Sequence, residues 1–309
     1  MRRLTLPRLA GPVDLGPSEQ MVYLHTVIRE RAGERPTDLA GRRAGTVALW
    51  GALPDPAGVT RWPETVGGVA CVRVATGAPR SDAVVVWLHG GAYTLGTAAA
   101  SAPAAGHLAA ATGLPVVVVD YRLAPEHPFP AAVEDTTAVY GAMLGELPAT
   151  RIAVVGESAG GGLALALLQR LRDTGSPLPA TAALLAPWGD LTCSSPAWEH
   201  DELHGEADLR ADALAYAGGL DLRHPMLSPV HAELTGFPPL LLQAGAVDSV
   251  TPDVEWIHAN AVAAGVPTVL QVWPHAPHPF QGLAALLPEG ALAMADVASW
   301  IDGLLGTPA

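Results

Sequence analysis

The segment Arg151–Gln169, RIAVVGESAGGGLALALLQ, constrains the chain more than any other stretch. Ile152-Ala153-Val154-Val155 is a short apolar run of the kind that forms a strand buried on both faces. Leu163 to Leu168 continue as a helix, with Arg170 and Arg172 near its end where cations are favoured. Between them lies Gly156-Glu157-Ser158-Ala159-Gly160. A strand that turns at once into a helix around G-x-S-x-G is a nucleophile elbow, with the serine on a strained tip and glycines allowing close backbone approach. A bare G-x-S-x-G arises by chance in roughly one sequence of this composition in ten, so its neighbours must decide its meaning.

Along the chain, Ser18 is placed to cap a helix running to about Ala32, with Met21, Val22, Leu24, Val27 and Ile28 as its apolar stripe. From about Gly45 to Thr76 the pattern predicts short β runs. Ala83–Leu88 reads as a buried strand that leads directly into His89-Gly90-Gly91-Ala92-Tyr93. Helices are predicted at 105–112 and 131–144, and strands at 116–119, 180–186, 240–243 and 268–272. Strands alternating with helices over this length make a mostly parallel sheet flanked by helices on both faces. Functional residues in such sheets gather at the carboxyl ends of the strands.

That rule selects the partners of Ser158. A serine that hydrolyses an acyl group needs a base, an acid to orient the base, and donors for the oxyanion, and in elbow proteins they follow in the order Ser, Asp/Glu, His. Asp248 falls just after the strand at 240–243. His275 and His278 follow the strand at 268–272. From the residues alone, His275 competes with His278, and Asp253, or less plausibly Asp120, with Asp248. His89-Gly90-Gly91 supplies backbone N–H groups suited to an oxyanion hole, completed by the N–H of Ala159. Each residue by itself has a bland explanation as a turn, cap or surface residue. Three residue types in the required order, each after its own strand, leave little room for it.

Composition excludes other classes. Seventeen Lys+Arg against 30 Asp+Glu give a formal net charge of −13, which argues against nucleic acid and anionic membrane surfaces as partners. No uncharged apolar run approaches the ~20 residues of a membrane span. Pro7, Arg8, Pro12 and Asp14 interrupt any signal-peptide core, and Cys71 and Cys193 are too few for a disulfide framework. The expected location is the cytoplasm. No cofactor is implied. His200 and His204 stand four apart on a predicted helix, but the glutamate between them occupies neither zincin position, so no metal site is expected.

HGGAY at 89–93, DYRLAPEHPFPAA at 120–132, GESAGGGLA at 156–164 and WPHAPHPFQ at 273–281 resemble the bacterial hormone-sensitive-lipase family of esterases. The resemblance runs from about residue 70 to the C-terminus. It implies an α/β-hydrolase core, residues 46–188 and 238–309, with a small helical cap built from residues 1–45 and the insertion 189–237. It also implies ester hydrolysis without a cofactor, by Ser158, Asp248 and His278 with Gly90, Gly91 and Ala159 as oxyanion donors. His278 matches the family's histidine because it precedes Pro-Phe-Gln. The sequence departs from the family's pattern at Ala92, where a third glycine is common, at Glu157, where aspartate is usual, and at His275, often glycine.

The expected substrate is a small ester of short or medium acyl chain, with Tyr93 and Trp188 narrowing the acyl site. The insertion carries Asp190, Glu199, Asp201, Glu202, Glu206, Asp208, Asp212, Asp221 and Glu233 against Arg210 and Arg223, a hydrated surface unsuited to an oil–water interface. Alternatives from other classes are a deacetylase, lactonase or amidase using the same residues, and a small-molecule-binding relative without catalysis. Homodimerisation is compatible with the sequence.

Overall fold

The computed structural model describes residues 5–14, 16–31, 36–197 and 206–305. Strand-forming runs rich in valine and leucine assemble one eight-stranded sheet in the order β1-β2-β4-β3-β5-β6-β7-β8. Its strands are β1 Val59–Val66, β2 Val69–Thr76, β3 Val84–Leu88, β4 Val116–Val119, β5 Ile152–Glu157, β6 Thr181–Leu185, β7 Leu240–Gly245 and β8 Thr268–Trp273. β2 runs antiparallel to both β1 and β4, and every pairing from β4 to β8 is parallel.

Parallel strands need crossover connections, and these are α3 Ala98–Thr112, α4 Ala131–Glu146, α5 Ala159–Asp173 and α7 Thr251–Ala263, with α8 Pro288–Leu305 closing the chain. The strand period of two divides the core. Val84, Val86 and Leu88 of β3 face a layer shared with Leu163, Leu167 and Val254, whereas Val85 and Trp87 face Leu108, Trp300 and Ile301. Both layers are fully buried, as a sheet covered on two faces requires.

Three elements stand outside this sandwich: α1 Glu19–Arg31, α2 Leu39–Gly51 and α6 Glu206–Ala217. Ser18 caps α1 as expected, its Oγ accepting the Met21 N–H at 3.1 Å. α2 corrects the sequence expectation of β structure from Gly45, and the expected boundary between residues 45 and 46 falls inside this helix. Asp38 caps it, the carboxylate accepting the Gly41 N–H at 2.8 Å. Three glycines and a β-branched pair obscure the helical period of α2 in the sequence, and long-range pairing of Arg42 with Asp212 and of Arg43 with Glu126 anchors it. None of the described helices is long and apolar enough to cross a membrane.

Candidate active site

β5 ends at Glu157, and Ser158 takes φ 54° and ψ −121°, a strained conformation for a side-chain-bearing residue. The surroundings hold it there. The Ser158 N–H donates to the carbonyl of Leu185 on β6 at 2.8 Å, and the Ser158 carbonyl accepts N–H groups from Gly161 and Trp188 at 2.9 and 3.0 Å. Gly160 allows the helix to sit on the end of β3. A Cβ at this position would lie 2.1 Å from the carbonyl oxygen of Leu88.

The serine meets the expected partners. Ser158 Oγ lies 2.8 Å from His278 Nε2, and His278 Nδ1 lies 2.9 Å from Asp248 Oδ2. A carboxylate only accepts, so the imidazole carries its proton on Nδ1 and offers Nε2 as the acceptor for the serine hydroxyl. The Val250 N–H donates to Asp248 Oδ1 at 3.0 Å and fixes the carboxylate. The Asp248 side chain is fully buried and that of His278 is 6 % exposed, so the pair is shielded from water on one side and reaches Ser158 on the other.

The competing candidates lie elsewhere. The imidazole of His275 is well exposed and faces Asp14 at 3.4 Å. Asp253 Oδ2 accepts the N–H groups of Gly189 and Asp190 at 3.2 and 3.0 Å, and Asp120 Oδ1 accepts the Ala98 N–H at the start of α3. All three have structural partners. His200 and His204 lie outside the described residues, and among those described no cluster of His, Cys, Asp and Glu could hold a metal.

Gly90 and Gly91 follow β3 beside the elbow. A Cβ on Gly90 would lie 3.2 Å from Cβ of Ser158, and Gly91 adopts φ 122°, which excludes other residues. Ala159 is the first residue of α5, where an N–H has no intrahelical acceptor and the helix dipole is positive. Gly90 and Ala159 thus flank the serine, with Gly91 next in the chain.

The DYRLAPE block of the sequence braces this loop. Tyr121 Oη donates to the carbonyl of His89 at 2.7 Å, and its ring stacks on the His89 imidazole at 4.2 Å. His89 is buried, and burial lowers its proton affinity, in keeping with a structural neutral imidazole. Tyr93 and Trp188 are each only 1 % exposed. These two side chains, expected to narrow the acyl site, are packed beside the elbow, where Tyr93 stacks on Tyr216 of α6 at 3.8 Å. The expected acidic face of the insertion is also reduced, because Asp190 and Asp212 are buried with internal partners.

Glu157, which departs from the family pattern and is expected to support the site from behind the nucleophile, lies directly before Ser158. It is buried, and a Cβ on Gly90 or Gly282 would come within 3.7 or 3.4 Å of its Oε1. Burial pushes this carboxyl up to about 7, against a smaller opposing pull from His278.

Comparison with known proteins agrees with this geometry. Residues 85–282 match the α/β-hydrolase fold family. An esterase of the bacterial hormone-sensitive-lipase family superposes with a TM-score of 0.90 at 35 % identity, over 94 % of this chain and 100 % of that one. The chain belongs to that family. An acetyl-hydrolase of Streptomyces hygroscopicus is 41 % identical over 215 residues, 68 % of this chain and 72 % of that protein. The esterase EstE5, in a crystal soaked with p-nitrophenyl butyrate, has a TM-score of 0.89 at 33 % identity, covering 94 % of this hydrolase and all of its own chain.

Proposed function

We propose that this α/β hydrolase cleaves short-chain carboxylic esters through an acyl-enzyme on Ser158. The observation that carries the reading is the continuous chain Ser158 Oγ–His278–Asp248, at 2.8 and 2.9 Å. His278 Nε2 takes the serine proton as Oγ attacks the ester carbonyl, and Asp248 stabilises the imidazolium that forms. The N–H groups of Gly90, Gly91 and Ala159 receive the oxyanion. Collapse of the intermediate expels the alcohol, protonated by His278. Water, deprotonated by the same imidazole, then releases the acid and restores the serine. No step requires a metal or cofactor.

A short acyl chain is supported by the likeness to the acetyl-hydrolase of Streptomyces hygroscopicus and to EstE5, whose crystal was soaked with a butyrate ester. A cytoplasmic location fits a chain with two cysteines, Cys71 and Cys193, too few for a disulfide framework.

A fluorophosphonate should label Ser158 alone, and Ser158→Ala should lose several orders of magnitude in rate. Across p-nitrophenyl esters of roughly two to eight carbons, rates should peak at the short end. Label on another residue, or faster turnover of emulsified triglyceride than of the butyrate, would overturn the proposal.

A further inference from the structure

The oxyanion loop is built from an unfavourable conformation that its own residues do not explain. Ala92 and Tyr93 both adopt left-handed φ, 51° and 62°, directly after Gly91. Two consecutive side-chain-bearing residues persist there only when external contacts over-determine the loop. Those contacts come from outside the sandwich. Thr94 Oγ1 donates to Asp212 Oδ1 of α6 at 2.8 Å, and the Tyr93 ring stacks on that of Tyr216, one helical turn along the same face of α6. α2 completes the grip. Arg42 binds the Asp212 carboxylate with both terminal nitrogens, at 3.1 and 2.5 Å. Arg43 Nε donates to the Thr94 carbonyl at 2.8 Å, and its terminal nitrogens reach the Ala124 carbonyl at 2.9 Å and the Glu126 carboxylate at 2.7 Å. Asp212 and Thr94 are 3 % and 1 % exposed, so this network is dry where it matters.

The loop is tight. Thr94 and Leu95 return their N–H groups to the Gly91 carbonyl at 3.0 and 2.8 Å, which ties the segment gripped by α2 and α6 directly to Gly91. A shift of Thr94 is therefore passed to Gly91, one of the proposed donors. We propose that Asp212, with Arg42 and Arg43, is a positioning residue for the oxyanion hole: α6 and α2 set the catalytic backbone donors. The inference rests on the roles proposed above for Ser158 and the glycine loop.

Thr94→Val removes one hydroxyl from the network and keeps its volume, and Asp212→Asn keeps the shape while removing the charge. Both should lower kcat for p-nitrophenyl butyrate roughly tenfold or more, a fraction of the loss on deleting a whole oxyanion donor, with KM within about twofold. Affinity for a trifluoromethyl ketone, which adds to Ser158 and forms the oxyanion, should fall by the same factor as kcat. Glu64→Gln, which breaks the half-buried Arg73–Glu64 pair between β1 and β2, controls for a general loss of stability. If Thr94→Val and Asp212→Asn lower only the melting temperature, as Glu64→Gln does, or change only KM, the inference is wrong. A wild-type enzyme whose Ser158 does not form the ketone adduct would instead overturn the underlying assignment.

Discussion

Replacing Glu157 by glutamine should stabilise this enzyme at alkaline pH and do little at acid pH. The carboxyl is 5 % exposed, so solvent screens it little. Burial raises its affinity for a proton from the ordinary 4.5 to about 7, with His278 pulling weakly the other way. In an unfolded chain the group ionises at its ordinary value. Below pH 4.5 both states hold the proton, and the native state loses nothing. Between 4.5 and about 7 only the unfolded state ionises, so native stability falls as pH rises. Above about 7 both are ionised, and the deficit stays constant. At about 1.4 kcal/mol per pH unit, the full deficit is on the order of 3 kcal/mol. Glutamine keeps the shape and carries no proton to lose. The stability gained by Glu157→Gln should thus grow from about 1 kcal/mol at pH 5 to about 3 kcal/mol at pH 8. Urea unfolding followed by tryptophan fluorescence at pH 5, 6, 7 and 8 measures it, with the slope against urea checked for constancy. A gain that does not change with pH, or a loss at pH 8, would refute the argument. The first result would mean that the carboxyl titrates normally, the second that the carboxylate itself makes a favourable contact.

Other expectations follow from the same geometry. His278→Ala should abolish turnover while His275→Ala retains most of it, and Asp248→Asn should cost far more kcat than Asp253→Asn; steady-state kinetics of folded variants decides both. Gly160→Ala places a Cβ 2.1 Å from the Leu88 carbonyl oxygen and should destabilise the fold by about 3 kcal/mol or more, read as the shift in a denaturation midpoint. Burial pushes the Cys71 thiol up to about 11, so a disulfide reagent at pH 8 should leave it unmodified until denaturant is added.

The elbow, the glycine pair after β3 and the order serine, aspartate, histidine were legible because each is a local pattern. An apolar run ending in G-x-S-x-G needs no distant residue to be recognised, and the parallel sheet follows from strands alternating with helices. Choosing among near neighbours was a different problem. Asp248 and Asp253 both follow β7, and His275 and His278 both follow β8, so chain position hardly separates them. The family's Pro-Phe-Gln favoured His278, but the distance to Ser158 is a property of the folded loops. Helix α2 was missed because its glycines hide the period, and what steadies it is the pairing of Arg42 and Arg43 with residues 170 and 83 positions away. Asp212 likewise counted in the sequence as one more surface acid. Only packing buries it against Thr94 and Arg42, and only burial turns Glu157 from an ordinary carboxylate into a group that holds its proton to neutrality. Local pattern determines which chemistry a chain of this kind can carry. Dielectric surroundings and long-range contacts, which exist only after folding, determine which of its candidate groups perform it and how they are held.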